Sequence, residues 1–191
     1  MISPQSADDE RSALKLSAGA DRPEREGVEP SRDVEVEFSD TQNQLAVDRA
    51  GLIALVREVL AIEGVSRASI SVVLVDNPTI HEINRSQLGH DWPTDVITFP
   101  LSSPGEDLLA GELVVSAEMA RDTAREQGQQ PWAELALYLV HGLLHLQGYD
   151  DQEPEDIERM RRREGEVLAL LGLTNPFSLV ASSPSPAKAP E

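Results

Sequence analysis

The segment from Pro131 to Leu146 constrains this chain more than any other. Leu135, Leu137, Leu139, Val140, Leu143, Leu144 and Leu146 surround a helix almost completely with apolar side chains. A helix of that kind sits inside a protein rather than on its surface. Pro131 suits the first helical position, where its missing N–H costs nothing. The apolar stretch Leu135 to Leu146 is interrupted by two histidines and falls well short of the roughly 20 residues that a bilayer requires.

The surrounding sequence supplies elements that pack around such a helix. Val34, Val36 and Phe38 alternate with Glu35 and Glu37, the period of a half-buried strand. Residues 47–62 carry Val47, Leu52, Leu55, Val56, Val59 and Leu60 at helical spacing, with Gly64 just past the end. Ile70 to Val75 reads as a central strand, and Asn77-Pro78 opens a short helix through Ile80 and Ile83. Val96 to Phe99 and Leu113 to Val115 predict two further strands, joined by a loop of about a dozen residues. A helix follows from about Ser116 to Gln127. After the central helix a last one opens at Pro154, where Glu155, Asp156 and Glu158 complement its positive end, and closes at Gly172. The expected architecture is α+β: one domain, with a mixed four-stranded sheet, about five helices and a metal site on the buried central helix.

Residues 1–33 and 174–191 are polar, proline-containing and poor in large apolar groups. Burial there does not offset the ordering entropy, so they read as a disordered leader and tail around a domain at 34–173. The leader holds no apolar run that resembles a signal peptide, so a soluble, cytoplasmic protein is expected. The chain has no cysteine, which excludes a disulfide framework, a Cys-ligated zinc finger and a thiol nucleophile. Its formal charge is -18, and residues 34–173 alone carry 25 acidic against 10 basic side chains. That imbalance argues against a general nucleic-acid coat protein, though a local positive patch remains compatible with an RNA enzyme.

From His141 the chain reads His-Gly-Leu-Leu-His-Leu-Gln-Gly-Tyr-Asp-Asp. His141 and His145 are four apart, which points their side chains within about 40° of each other on a helix. Two imidazoles on one face suit two corners of a tetrahedral metal site, and in so apolar a helix they need polar partners. Gly148 allows the backbone conformation that ends the helix and turns the chain back. Asp150 or Asp151, directly after the turn, supplies a third ligand. Three protein ligands leave one position open, as in catalytic rather than structural zinc sites. The spacing His-x3-His-x2-Gly-x2-Asp is close to the metzincin protease pattern, whose last ligand is usually His. In such proteases the base is a Glu directly after the first histidine; here that residue is Gly142, which disfavours a peptidase. His81 and His90 lie in a polar segment and read as surface residues.

These residues resemble the signature of the YbeY family of bacterial endoribonucleases, the rRNA maturation factors, at His141, Gly142, Leu144, His145, Leu146, Gly148, Tyr149 and Asp150. A second block, Pro93-Thr94-Asp95-Val96-Ile97-Thr98-Phe99-Pro100, resembles another family segment, with Asn84 before it and Gly111-Glu112-Leu113 after it. The resemblance spans roughly residues 34–173. It implies a zinc-dependent endoribonuclease acting on single-stranded RNA, with one Zn²⁺ per chain held by His141, His145 and Asp151. It further implies maturation of the small-subunit rRNA 3′ end, ribosome quality control, and ribosomal RNA, the small subunit and a ribosomal protein as partners. The chain departs from the family at Asp151, where the family has histidine. Aspartate is an acceptable zinc ligand, but its charge acidifies a bound water less and is compatible with a harder metal such as Mn²⁺. It departs again at Leu88, usually arginine, one helical turn after Arg85.

The sequence singles out no general base. Arg159, Arg161, Arg162 and Arg163 form the densest basic cluster, set either to meet phosphates or to pair with Glu155, Glu158 and Glu166 on a solvated helix. Two other functions remain in competition: a non-catalytic ribosome-assembly protein with a structural metal, and, weakened by Gly142, a zinc metallopeptidase.

Overall fold

The sheet grows from the β-branched run of β2 (Arg67–Val75), whose side chains alternate between two apolar faces. Ile70, Val72 and Leu74 join the larger core, while Val73 and Val75 turn to the opposite face. In the computed structural model, which describes residues 33–173, β1 (Asp33–Asp40) pairs with β2 in parallel. β4 (Leu109–Ser116) pairs with β2 in parallel on its other side, and β3 (Val96–Pro100) lies antiparallel to β4. The strand order is β1-β2-β4-β3, and the register sets Val72 between Phe38 and Leu113. Both edges are guarded: Glu35 and Glu37 are exposed on β1, and Pro100, which has no N–H to donate, ends β3. The tails assigned to 1–33 and 174–191 lie outside the described residues, apart from Asp33, which opens β1.

Five helices cover the sheet. α1 (Arg49–Ile62) is capped by Asp48, whose Oδ1 accepts from the Gly51 N–H at 3.1 Å. α3 (Ala117–Gln127) is capped in the same way by Ser116 and stops at Gly128. α2 (Asn77–Ile83) closes the second face of the sheet, packing Ile80 with Val75, Ile97 and Val114, and continues into a single π-turn over Asn84–Leu88. α4 (Pro131–Leu146) is the centre of the molecule, with Leu135, Leu139, Leu143 and Leu144 among its largest fully buried side chains. Each of these leucines contributes roughly 1.5–3 kcal/mol relative to exposure, which fixes the helix that carries the histidines. α5 (Pro154–Leu170) crosses it, burying Met160, Val167 and Leu168. Among the described residues no helix is long and apolar enough to cross a membrane.

One connection is shorter than the sequence suggests. β4 begins at Leu109, so the loop to β3 is only Leu101–Leu108. Ala110 and Gly111 interrupt the β-branched run and hide the strand's start. The backbone carbonyl of Ala110 nonetheless accepts from the N–H groups of Leu101 and Ser102 at 2.9 and 3.2 Å, closing the hairpin.

Candidate metal centre

At the end of α4 the imidazoles of His141 and His145 stand edge to face, with centroids 4.5 Å apart and planes at 86°. Their Nε2 atoms approach to 3.0 Å. Gly148, at φ +92°, turns the chain in a conformation that residues with a Cβ rarely adopt. The Tyr149 N–H then donates back to the Leu144 carbonyl at 3.1 Å, and the Tyr149 carbonyl accepts from His145 Nδ1 at 2.9 Å. The bend carries Asp151 across the imidazoles, with Oδ2 3.7 Å from His141 Nε2 and Oδ1 3.8 Å from His145 Nε2. These separations bracket the ~3.3 Å edge of a tetrahedron of ligands at zinc distances. The side chains of His141, His145 and Asp151 thus form a group that could hold a metal ion. Asp150 does not join it; its Oδ1 accepts from the Asp151 N–H at 2.8 Å and shapes the bend.

A count of protons shows what this geometry demands. The Tyr149 carbonyl can only accept, so His145 carries its proton on Nδ1. His141 Nδ1 faces Glu164 Oε1 at 2.6 Å, and against that carboxylate it too is the donor. With Nδ1 the donor on each ring, the two Nε2 atoms face each other across 3.0 Å, with the Asp151 carboxylate opposite. A positive centre between them, either a metal ion or a proton on one Nε2, relieves the repulsion of the facing lone pairs. The balance at His141 has the same sense: burial opposes its charge, but the hydrogen bond and charge of Glu164, with Asp95 and Asp151, outweigh it and raise its pKa above the ordinary imidazole value.

Glu164 is the residue that motif reading missed. Its side chain is only 3% exposed and lies on the stripe of α5 that buries Met160, Val167 and Leu168. A carboxylate on an apolar stripe requires a partner, and that spacing was the available signal. A cavity of about 240 Å³ opens beside His141 and Asp151, lined also by Asp95, Met160, Arg161 and Glu164. A larger one, about 570 Å³, lies on the His145 side against Arg67 and the Leu101–Leu108 loop.

The arginine cluster divides. Arg159 pairs with Asp156, Arg162 with Glu158, and Arg163 with Glu166 and Glu63; Arg161 is the member of the cluster that lines the smaller cavity. Arg85 is held by Glu82 on the surface, and Leu88 is half exposed. His81 contacts Asp91, and His90 stacks on Trp92. Gly142 faces away from the centre: a Cβ there would lie 2.8 Å from Leu113 Cδ2 and 3.2 Å from Thr98 Oγ1. A glutamate at that position would enter the sheet.

Comparison with known proteins gives the arrangement a relationship. The chain is 48% identical over 122 residues to an endoribonuclease YbeY of Rhodopirellula baltica, covering 62% of this chain and 61% of that protein. It is 43% identical over 146 residues to one from Pelotomaculum thermopropionicum, covering 71% of this chain and 96% of the other. A solution structure of a Thermotoga maritima protein aligns over 81% of this chain and 99% of its own, at 26% identity and a TM-score of 0.48. The family model described as endoribonuclease YbeY matches residues 37–172, which include every side chain of the centre, and the chain belongs to that family.

Proposed function

We propose that this protein is a zinc-dependent endoribonuclease that cuts single-stranded RNA, with His141, His145 and Asp151 holding one Zn²⁺ per chain. The observation that carries the reading is the convergence of two Nε2 atoms at 3.0 Å with a carboxylate opposite, three ligand atoms close enough together to hold one ion. A divalent ion held there supplies Lewis-acid polarisation of a phosphoryl oxygen and of an attacking water. The chain's own residues do the rest. Glu164 and the Tyr149 carbonyl keep both Nδ1 atoms protonated, so both Nε2 atoms face inward. Arg161 lines the adjoining cavity and meets a phosphate there. Asp95 has Oδ1 held by Thr94 Oγ1 and the Val96 N–H, each at 2.9 Å, which aims its carboxylate. It lines the same cavity and takes the proton from the attacking water.

For the biological setting we propose maturation of the small-subunit rRNA 3′ end and ribosome quality control in the cytoplasm, with the small ribosomal subunit as partner, a reading supported by the membership of an endoribonuclease family. A net charge of -18 gives the protein little general attraction for RNA, which favours action within a ribosomal context. The test is cleavage of single-stranded RNA by the purified full chain. Activity abolished by a chelator, restored by zinc, and lost in the His141→Ala/His145→Ala double variant supports the reading. Undiminished cleavage by that double variant refutes it, and a metal that is bound without any cleavage favours the assembly-protein alternative.

A further inference from the structure

Among the described residues Trp92 is the one exposed Phe, Tyr or Trp, at 57% exposure; all others are buried or half-buried. Its indole lies nearly parallel to the His90 imidazole, at 9° with centroids 4.9 Å apart. One face of the pair is thus backed by a second ring and the other is presented outward. The segment that carries it is tied down. The buried side chain of Asn84 donates to the Trp92 carbonyl at 2.8 Å, and its backbone carbonyl accepts from the His90 N–H at 3.3 Å. His81 Nε2 holds Asp91 at 2.9 Å. Three residues on, Asp95 lines the cavity beside His141 and Asp151. Three residues span at most about 11 Å, so the backbone that carries the indole lies within that distance of the backbone of Asp95.

We infer that Trp92, backed by His90, is a stacking platform for a base of the single-stranded RNA substrate, at a nucleotide flanking the one cut at the metal centre. The inference rests on the endoribonuclease reading and names how the substrate is gripped. Charge gives such a platform its value. A chain at -18 has little general attraction for phosphates beyond local contacts, whereas stacking on a base is independent of charge and tolerant of sequence. Trp92 is anchored through its backbone carbonyl, and more than half of its surface stays exposed to meet a strand.

The test uses the full chain with Trp132→Phe, so that all indole emission comes from Trp92. The protein is stripped of metal by a chelator and titrated with a fluorophore-labelled oligoadenylate, with binding followed independently by anisotropy. Saturable quenching of Trp92 that tracks the anisotropy, and none with an abasic oligomer of equal length, is the expected result. Trp92→Ala, which keeps the Asn84 anchor, should weaken binding by about 5- to 150-fold, and Trp92→Phe should restore most of it. In the zinc-loaded enzyme Trp92→Ala should raise KM more than it lowers kcat. Binding without a change in Trp92 emission, equal quenching by the abasic oligomer, or unchanged affinity in Trp92→Ala overturns the platform while leaving the nuclease reading intact. An emission change with small-subunit ribosomal proteins but not with RNA also overturns it. If the wild-type chain neither binds nor cuts RNA, both readings fall.

Discussion

Removing the carboxylate behind His141 should loosen the metal without touching a ligand. Glu164 is buried, and its 2.6 Å bond to Nδ1 fixes both the tautomer and the orientation of the ring. Outer partners of this kind are worth 10- to 100-fold in metal affinity, or about 1.4–2.7 kcal/mol. Glu164→Gln keeps an acceptor oxygen near Nδ1 but loses its charge, and should fall toward the lower figure. Glu164→Ala leaves a buried N–H unpaired and lets the ring turn, and should approach the higher one. Competition for zinc against a chromophoric chelator at neutral pH measures both, with circular dichroism confirming that each variant is folded. An affinity for Glu164→Ala within twofold of the wild type would refute the argument that this hydrogen bond organises the site.

Other outcomes follow from the same geometry. Asp151→Asn should lower metal content well below that of Asp150→Asn, because Asp150 serves only the bend; elemental analysis of both variants checks the order. Asp95→Asn should slow RNA cleavage by about 100-fold or more while zinc content stays at the wild-type level, as expected for a proton acceptor that is not a ligand. Glu134, buried on α4 with Oε1 lacking a hydrogen-bond partner, has its pKa raised, chiefly by burial. A raised folded pKa favours the protonated form, so its contribution is fully present below the unfolded carboxylate value and is lost as pH rises through the folded one. Glu134→Gln should therefore stabilise the protein at neutral pH and lose that advantage in acid, read by denaturant unfolding at several pH values.

Much of this was legible before the structure. The all-round apolar pattern of Leu135–Leu146 predicted a central helix because burial on every side leaves no other place for it, and α4 occupies that place. Pro131, Gly128 and Pro154 marked helix boundaries through backbone chemistry that does not depend on tertiary context. The four-residue spacing of the histidines and the bend at Gly148 carried the site itself. Two kinds of feature escaped. The start of β4 was hidden because Ala110 and Gly111 have little intrinsic strand preference, and pairing with β2 decides their conformation. Glu164 escaped because its meaning lies in what faces it across two helices, 23 positions away in sequence. The four arginines looked alike in sequence; only the packing of α5 shows which of them, Arg161, lines the cavity.

The central claim is that two imidazoles and one carboxylate grip a single divalent ion with a side left open. X-ray absorption at the zinc edge on the zinc-loaded full chain reads those ligands directly. The account predicts two imidazole nitrogens at about 2.0–2.1 Å with the remaining positions filled by oxygen. It also predicts that Asp151→His converts one of those oxygens into a third imidazole nitrogen. A spectrum without imidazole scattering, or one unchanged when both histidines are replaced, would contradict it.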